Sequence, residues 1–126
     1  MPSTAQIAAA VAEYVSLLGK GSGKEIGALY DESATLEDPA GGPVRSGRAD
    51  ITTFYSALDN VTTTAELITI RVSGDSAAFH MRVVTTMPDQ VVTIEPIDVM
   101  TFNDEGLITS MRAYWGPADV ITTRGA

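Results

Sequence analysis

At Val61 the texture of the chain changes. Before it, apolar residues recur at helical spacing; after it come four β-rich runs, roughly 62–72, 76–86, 91–102 and 107–115, separated by "SGD", "MPDQ" and "NDEG". Turns this short join antiparallel neighbours, because a parallel connection needs a crossover of a dozen or more residues. The runs therefore predict an antiparallel meander, and the helices before it must cover one face of a curved sheet. The expected class is α+β.

The first helix is predicted over residues 4–19, where Ile7, Val11, Tyr14, Val15 and Leu18 share one side and Ser3 with Gln6 fits a capping box. Gly19, Gly21 and Gly23 stop it. A short second helix is expected around Lys24–Tyr30, then a brief strand in "SATLEDP" that ends at Pro39, then a loop, "DPAGGPVRSG". A third helix from about Arg48 to Leu58 stripes Ile51, Phe54, Tyr55 and Leu58 along one face.

At 126 residues, with no linker-like tract, the chain is expected to form one domain over residues 1–126. Sixteen acidic residues against eight basic ones give a net charge of −8, and Arg45 with Arg48 is the nearest thing to a basic cluster. Binding to nucleic acid or to an anionic membrane surface is therefore not expected. The first residues, "MPSTAQIAAA", carry neither a basic flank nor a long apolar core, and no run approaches a bilayer-spanning length. The expected location is cytoplasmic. There is no cysteine and a single histidine, His80, so disulfides, thiolate nucleophiles and histidine or thiolate metal clusters are not expected. Carboxylates and tyrosines are left for any chemistry.

Several of these fall on apolar faces. In "VVTIEPIDVMTF" alternation puts Asp98 with Val92, Ile94, Pro96, Met100 and Phe102. An unpaired carboxylate there is so costly that it must find a cation or take up a proton. Its own strand has no base, so the alternatives are an ion pair with Arg82 or Arg112 from a neighbouring strand, or a neutral acid that donates a hydrogen bond. Tyr14, Tyr30 and Tyr55 lie in the apolar stripes of the three helices, each as a core tyrosine or as part of one shared space. Asp38 shares a strand face with Leu36 and also precedes Pro39, which suits a turn-forming aspartate equally well. Met111, Ala113 and Trp115 alternate on the last strand as core or as a ligand wall, and His80 is read as a surface or interface residue.

Taken together, "AEYVSLL", "ALYDESATLEDPAG", "SGRADITTFY", "IDVMTFNDEGLI" and "SMRAYWG" resemble the bacterial Δ5-3-ketosteroid isomerases in order, spacing and residue type over nearly the whole chain. The resemblance implies a cone of curved, mainly antiparallel sheet around an apolar pocket, packed with three helices, as in the nuclear transport factor 2-like superfamily. It also implies a homodimer that takes a steroid and uses neither metal nor organic cofactor. Asp38 would be the general base that moves a proton from C4 to C6, while Tyr14 and protonated Asp98 would hydrogen-bond the C3 oxygen. An acid held neutral by an apolar site is the known device of these enzymes, not one read from this chain. Tyr30 and Tyr55 match a supporting tyrosine network, and Met111 and Trp115 match pocket-lining positions.

The chemistry accounts for these residue types. A general base is worth about 10²–10⁴-fold, too little alone for a weakly acidic C–H. Preorganised donors at the enolate oxygen supply more, and losing one typically costs about 3–4 kcal/mol. The superfamily also holds polyketide or terpenoid cyclases, dehydratases and non-catalytic modules that bind small apolar ligands, which remain the alternatives. This chain departs from the isomerase pattern in "GKGSGKE", in "LDNVTTTAE" and in "MPDQ", which leaves the preferred side chain of the substrate open.

Overall fold

The structure, a computed structural model, describes residues 1–124. Helix α1 spans Thr4–Lys20 and opens with the expected capping box: Ser3 Oγ accepts from the Gln6 backbone at 3.1 Å and Gln6 Oε1 from that of Ser3 at 2.7 Å. Its buried stripe is the predicted one with Leu17 added. A short α2, Gly23–Gly27, is capped in the same way by Ser22 and Glu25. It lies so close to the third helix that a Cβ on Gly23 would sit 2.6 Å from the Ser56 backbone nitrogen. Helix α3, Arg48–Ser56, continues as a 3-10 turn over Ala57–Asn60. No helix among the described residues is long and apolar enough to cross a membrane.

Tyr30 corrects the sequence reading. It is not the end of a helix but the first residue of strand β1, Tyr30–Glu37. Local periodicity favoured a helix, but Tyr30 is claimed by a long-range pairing with Ile108 on the far side of the sequence. The loop after it also holds a three-residue strand, β2 (Val44–Ser46), which pairs with β1 and is too short to leave a periodic signal.

The predicted runs become β3 (Thr62–Ser73), β4 (Ser76–Thr86), β5 (Gln90–Ile94), β6 (Ile97–Phe102) and β7 (Ile108–Tyr114). One run is thus two strands. Both β5 and β6 lie antiparallel along β4 in a single register, Val83 opposite Ile94 and Phe79 opposite Asp98, interrupted at Glu95–Pro96. Proline has no N–H to continue the ladder, and at this break the outer edge of the sheet divides. Beyond it β6 pairs with β7, whereas β5 pairs with β8 (Val120–Arg124), a strand that the sequence reading did not predict.

The full sheet has eight strands, ordered β2-β1-β7-β6-β4-β5-β8, with β3 on the other edge of β4. It is mixed rather than a simple meander, since β1 runs parallel to β7. Its two end strands do not pair, so the sheet curls as an open cone around α1. The inner face and the helices bury Ile7, Val11, Tyr14, Leu36, Phe79, Met100 and their neighbours in one core. Because alternate strand residues share a face, this curl points Phe79, Met81, Val83 and Thr85 of β4 and Asp98 of β6 into the same interior.

Candidate active site

The interior of the curled sheet contains a cavity of about 260 Å³, just below the usual range for ligand pockets, about 300–1,000 Å³. Its walls are mostly apolar, with Leu18, Phe54, Leu58, Met81, Val83 and Pro96 among them. Tyr14, Asp38, Tyr55, Asp98 and Trp115 face the same space. Five of the seven residues expected at the site therefore meet in one cavity. Tyr30 lies behind it, and Met111, expected on the wall, is instead buried in the core between Leu36 of β1 and Met100 of β6. The wall at that end of β7 is made by Ala113 and Trp115.

Asp98 is fully buried, and neither carboxyl oxygen has a hydrogen-bond partner. The ion-pair alternative fails on direction. Arg82 projects from the other face of the sheet, where its Nε donates to Glu95 Oε2 at 3.0 Å and a further pair is made with Glu66. Arg112 donates to Glu37 Oε2 at 2.9 Å and lies over the Tyr114 ring. His80 shares this outer face and meets Glu95 at 2.9 Å, in keeping with a surface histidine. With no cation in reach, desolvation pushes the Asp98 carboxyl well above the ordinary aspartate range, and the negative charge of Asp38 pushes in the same direction.

The three phenols form a chain. Tyr14 Oη lies 3.0 Å from Tyr55 Oη, which lies 2.6 Å from Tyr30 Oη, so Tyr55 of α3 links helix α1 to strand β1. Desolvation raises all three well above the usual tyrosine value, which keeps them neutral. If Tyr14 donates its proton into the cavity, it must accept from Tyr55, which then accepts from Tyr30. The Tyr14 ring packs edge-on against both Tyr55 and Phe79, which fixes where its hydroxyl points.

Asp38 follows the last residue of β1 and is only partly buried. Its Oδ1 accepts a 2.7 Å hydrogen bond from Trp115 Nε1. Desolvation raises its pKa, and the indole bond lowers it in part. The cavity thus holds two carboxyl groups in unlike settings: one anchored by a donor near solvent, the other sealed without one. Periodicity could not have separated the apolar wall residues from plain core, because both are simply buried positions of the same faces. Among the described residues no group of three or more His, Asp or Glu side chains is arranged to hold a metal ion.

An open, curled α+β sheet around an apolar cavity with two carboxyl groups in unlike settings defines the class, and the comparisons agree. A family profile described as a SnoaL-like domain matches residues 11–111, and the chain belongs to that family. Within it, the expected likeness to ketosteroid isomerases is borne out. A Steroid Delta-isomerase of Nocardioides simplex is 48% identical over 120 residues, covering 95% of this chain and 98% of that protein. A solved structure of the epoxide hydrolase/cyclase-like enzyme SalBIII, described as acting in pyran ring formation in polyether salinomycin, superposes with a TM-score of 0.88 at 32% identity. It covers 95% of this chain and 98% of its own.

The state of Asp98 has a consequence for stability. The folded chain keeps this proton at pH values where the unfolded chain, with the group near its ordinary 3.8, has lost it. The folded state then binds more protons, so stability falls as pH rises above about 4 and levels off only beyond the raised folded value. Urea midpoints of Asp98→Asn should therefore decline less between pH 4 and 7 than those of the wild type. Parallel declines would mean that Asp98 is not held protonated.

Proposed function

We propose that the chain is a steroid Delta-isomerase, working as a single domain without a cofactor. The observation that carries this reading is the pairing of a sealed, unpartnered Asp98 carboxyl with an anchored, partly exposed Asp38 carboxylate on one apolar cavity. The 48% identity to the Nocardioides simplex enzyme supports the substrate class.

In this mechanism the steroid lies in the cavity with its C3 carbonyl oxygen between Tyr14 and Asp98. Asp38 removes a proton from C4; the C–H electron pair forms the new double bond of a dienolate, and negative charge moves to the C3 oxygen. Tyr14 and protonated Asp98 donate to that oxygen, and Tyr55 and Tyr30 support Tyr14 from behind. Protonated Asp38 then returns the proton to C6, which re-forms the carbonyl, leaves the double bond conjugated and regenerates the carboxylate. Neutral donors suit this cavity better than a fixed cation, because they stabilise the developing charge without carrying one before reaction.

A cyclase or dehydratase that uses the same carboxylates on a polyketide or terpenoid is the second reading, favoured by the likeness to SalBIII. We also propose a homodimer. The outer face of the sheet leaves Ile97 and Tyr114, paired across β6 and β7, together with Ile121, largely exposed. A second copy would cover them.

Incubation with 5-androstene-3,17-dione should produce the ultraviolet absorbance of the conjugated Δ4 ketone; no rise above the buffer rate would reject the isomerase. Asp38→Asn should bind equilenin while losing turnover by at least about 10²-fold. Asp98→Asn, which can still donate, should be milder than Asp98→Ala, and equal losses would reject the donor role. Below neutrality, kcat/KM should fall as Asp38 takes up its proton, with the midpoint above 3.8. Because the indole bond lowers this pKa, Trp115→Phe should move the acid limb to higher pH, and an unmoved limb would remove Trp115 from that role. Sedimentation should give twice the 13.3 kDa chain mass, and Ile97→Lys should shift the protein towards monomer.

A further inference from the structure

Among the described residues, two side chains carry fully buried polar atoms without a hydrogen-bond partner: Asp98 and Thr63. Native interiors leave few such groups, and each asks for an explanation. For Asp98 the explanation is the reacting oxygen of the substrate. Thr63 stands at the opposite end of the same inner face. It pairs directly with Thr85 across the β3–β4 ladder, and Thr85 lines the cavity. Phe79, which pairs with Asp98, lies on the same face of β4 as Thr85. Six residues of β4 thus separate the partner of Asp98 from the partner of Thr63, a rise of roughly 20 Å along the strand, so the two groups stand towards opposite ends of the cavity face.

Thr63 also lines a second cleft, of about 400 Å³, which shares the side chains of Leu18 and Leu58 with the cavity. The two spaces thus adjoin at these leucines. The second is polar, bordered by Lys20, Ser22, Glu25 and Asp59. Its acids are already engaged: Glu25 Oε1 accepts from the Ser22 backbone at 3.0 Å and Asp59 Oδ1 from that of Gly23 at 2.8 Å. The Thr63 hydroxyl is not. The segments that build this cleft, "GKGSGKE" and "LDNVTTTAE", are two of those in which the sequence departs from the isomerase pattern.

We infer that Thr63 is a specificity-determining residue, whose hydroxyl receives a neutral oxygen, hydroxyl or ketone, carried by the substrate at the end remote from the reacting carbonyl. This rests on the isomerase reading for the orientation of the ligand. The remote oxygen enters between Leu18 and Leu58, the residues that the two spaces share. A ligand with an oxygen at each end then satisfies both orphaned groups, and a ligand lacking the remote oxygen leaves Thr63 unpaired.

Trp115 is the only tryptophan of the chain and faces the cavity, so its fluorescence reports occupancy independently of turnover. The test compares Kd for 19-nortestosterone and its 17-deoxy analogue. Wild type should prefer the oxygenated ligand by about five- to tenfold, the range of one hydrogen bond. Thr63→Val, of equal size, should bring the ratio near one without weakening the deoxy ligand, and Thr63→Ser should retain the preference. A wild-type ratio near one, or a ratio that Thr63→Val leaves unchanged, overturns the inference. Steroid turnover is read separately: a preference that persists without isomerisation would reject the isomerase and keep Thr63, and isomerisation without the preference would do the reverse.

Discussion

A carboxyl sealed in an apolar wall, with no cation in reach, constrains everything around it. An ionised group there would cost several kcal/mol, so Asp98 is tolerated as a neutral acid, and that requires both a dry wall and the exclusion of arginine. The sheet meets both conditions through alternation. On β6 and its neighbours the inner positions are Phe79, Asp98, Met100 and Ala113, while Arg82 and Arg112 fall on outer positions and are held there by Glu95 and Glu37. A one-residue slip of β7 against β6 would turn Arg112 inward and bury a guanidinium beside the acid.

The same logic sets the roles of the other groups. Asp38 lies where β1 ends, only partly buried and near enough to Trp115 for one strong hydrogen bond, which partly offsets the rise in its pKa caused by desolvation. Its negative charge opposes ionisation of Asp98, so the two carboxyl groups favour opposite protonation states. The tyrosine chain joins α1, α3 and β1, and therefore couples the position of the Tyr14 hydroxyl to the packing of helices on the sheet. No charged residue is needed inside to align it.

The break at Pro96 connects fold to site. Where it interrupts the run between β5 and β6, the two halves stay on β4 but take different outer neighbours, β8 and β7, so the edge of the sheet divides. The cavity lies where this divergence leaves the inner faces unfilled, with Pro96 itself in the wall. In the adjoining cleft, past the shared Leu18 and Leu58, lies the other unpaired buried group, the Thr63 hydroxyl.

Much of this was legible in the chain. The α+β class followed from short turns between β runs, the α1 stripe and its cap from spacing, and the oddity of Asp98 from alternation alone; all three are local patterns with a fixed period. Tyr30 was misassigned, and β2 and β8 were missed, because those strands exist by virtue of partners far away in sequence and carry little pattern of their own. Met111 was expected on the wall, yet it is core, since a strand face becomes wall or core only according to what the opposite elements leave empty. The sequence by itself determined which residues point inward and that one of them is an acid. Only the tertiary structure decided that Asp98 has no cation, that three phenols meet and that Asp38 faces the same cavity, because each depends on distances across elements that no local period encodes.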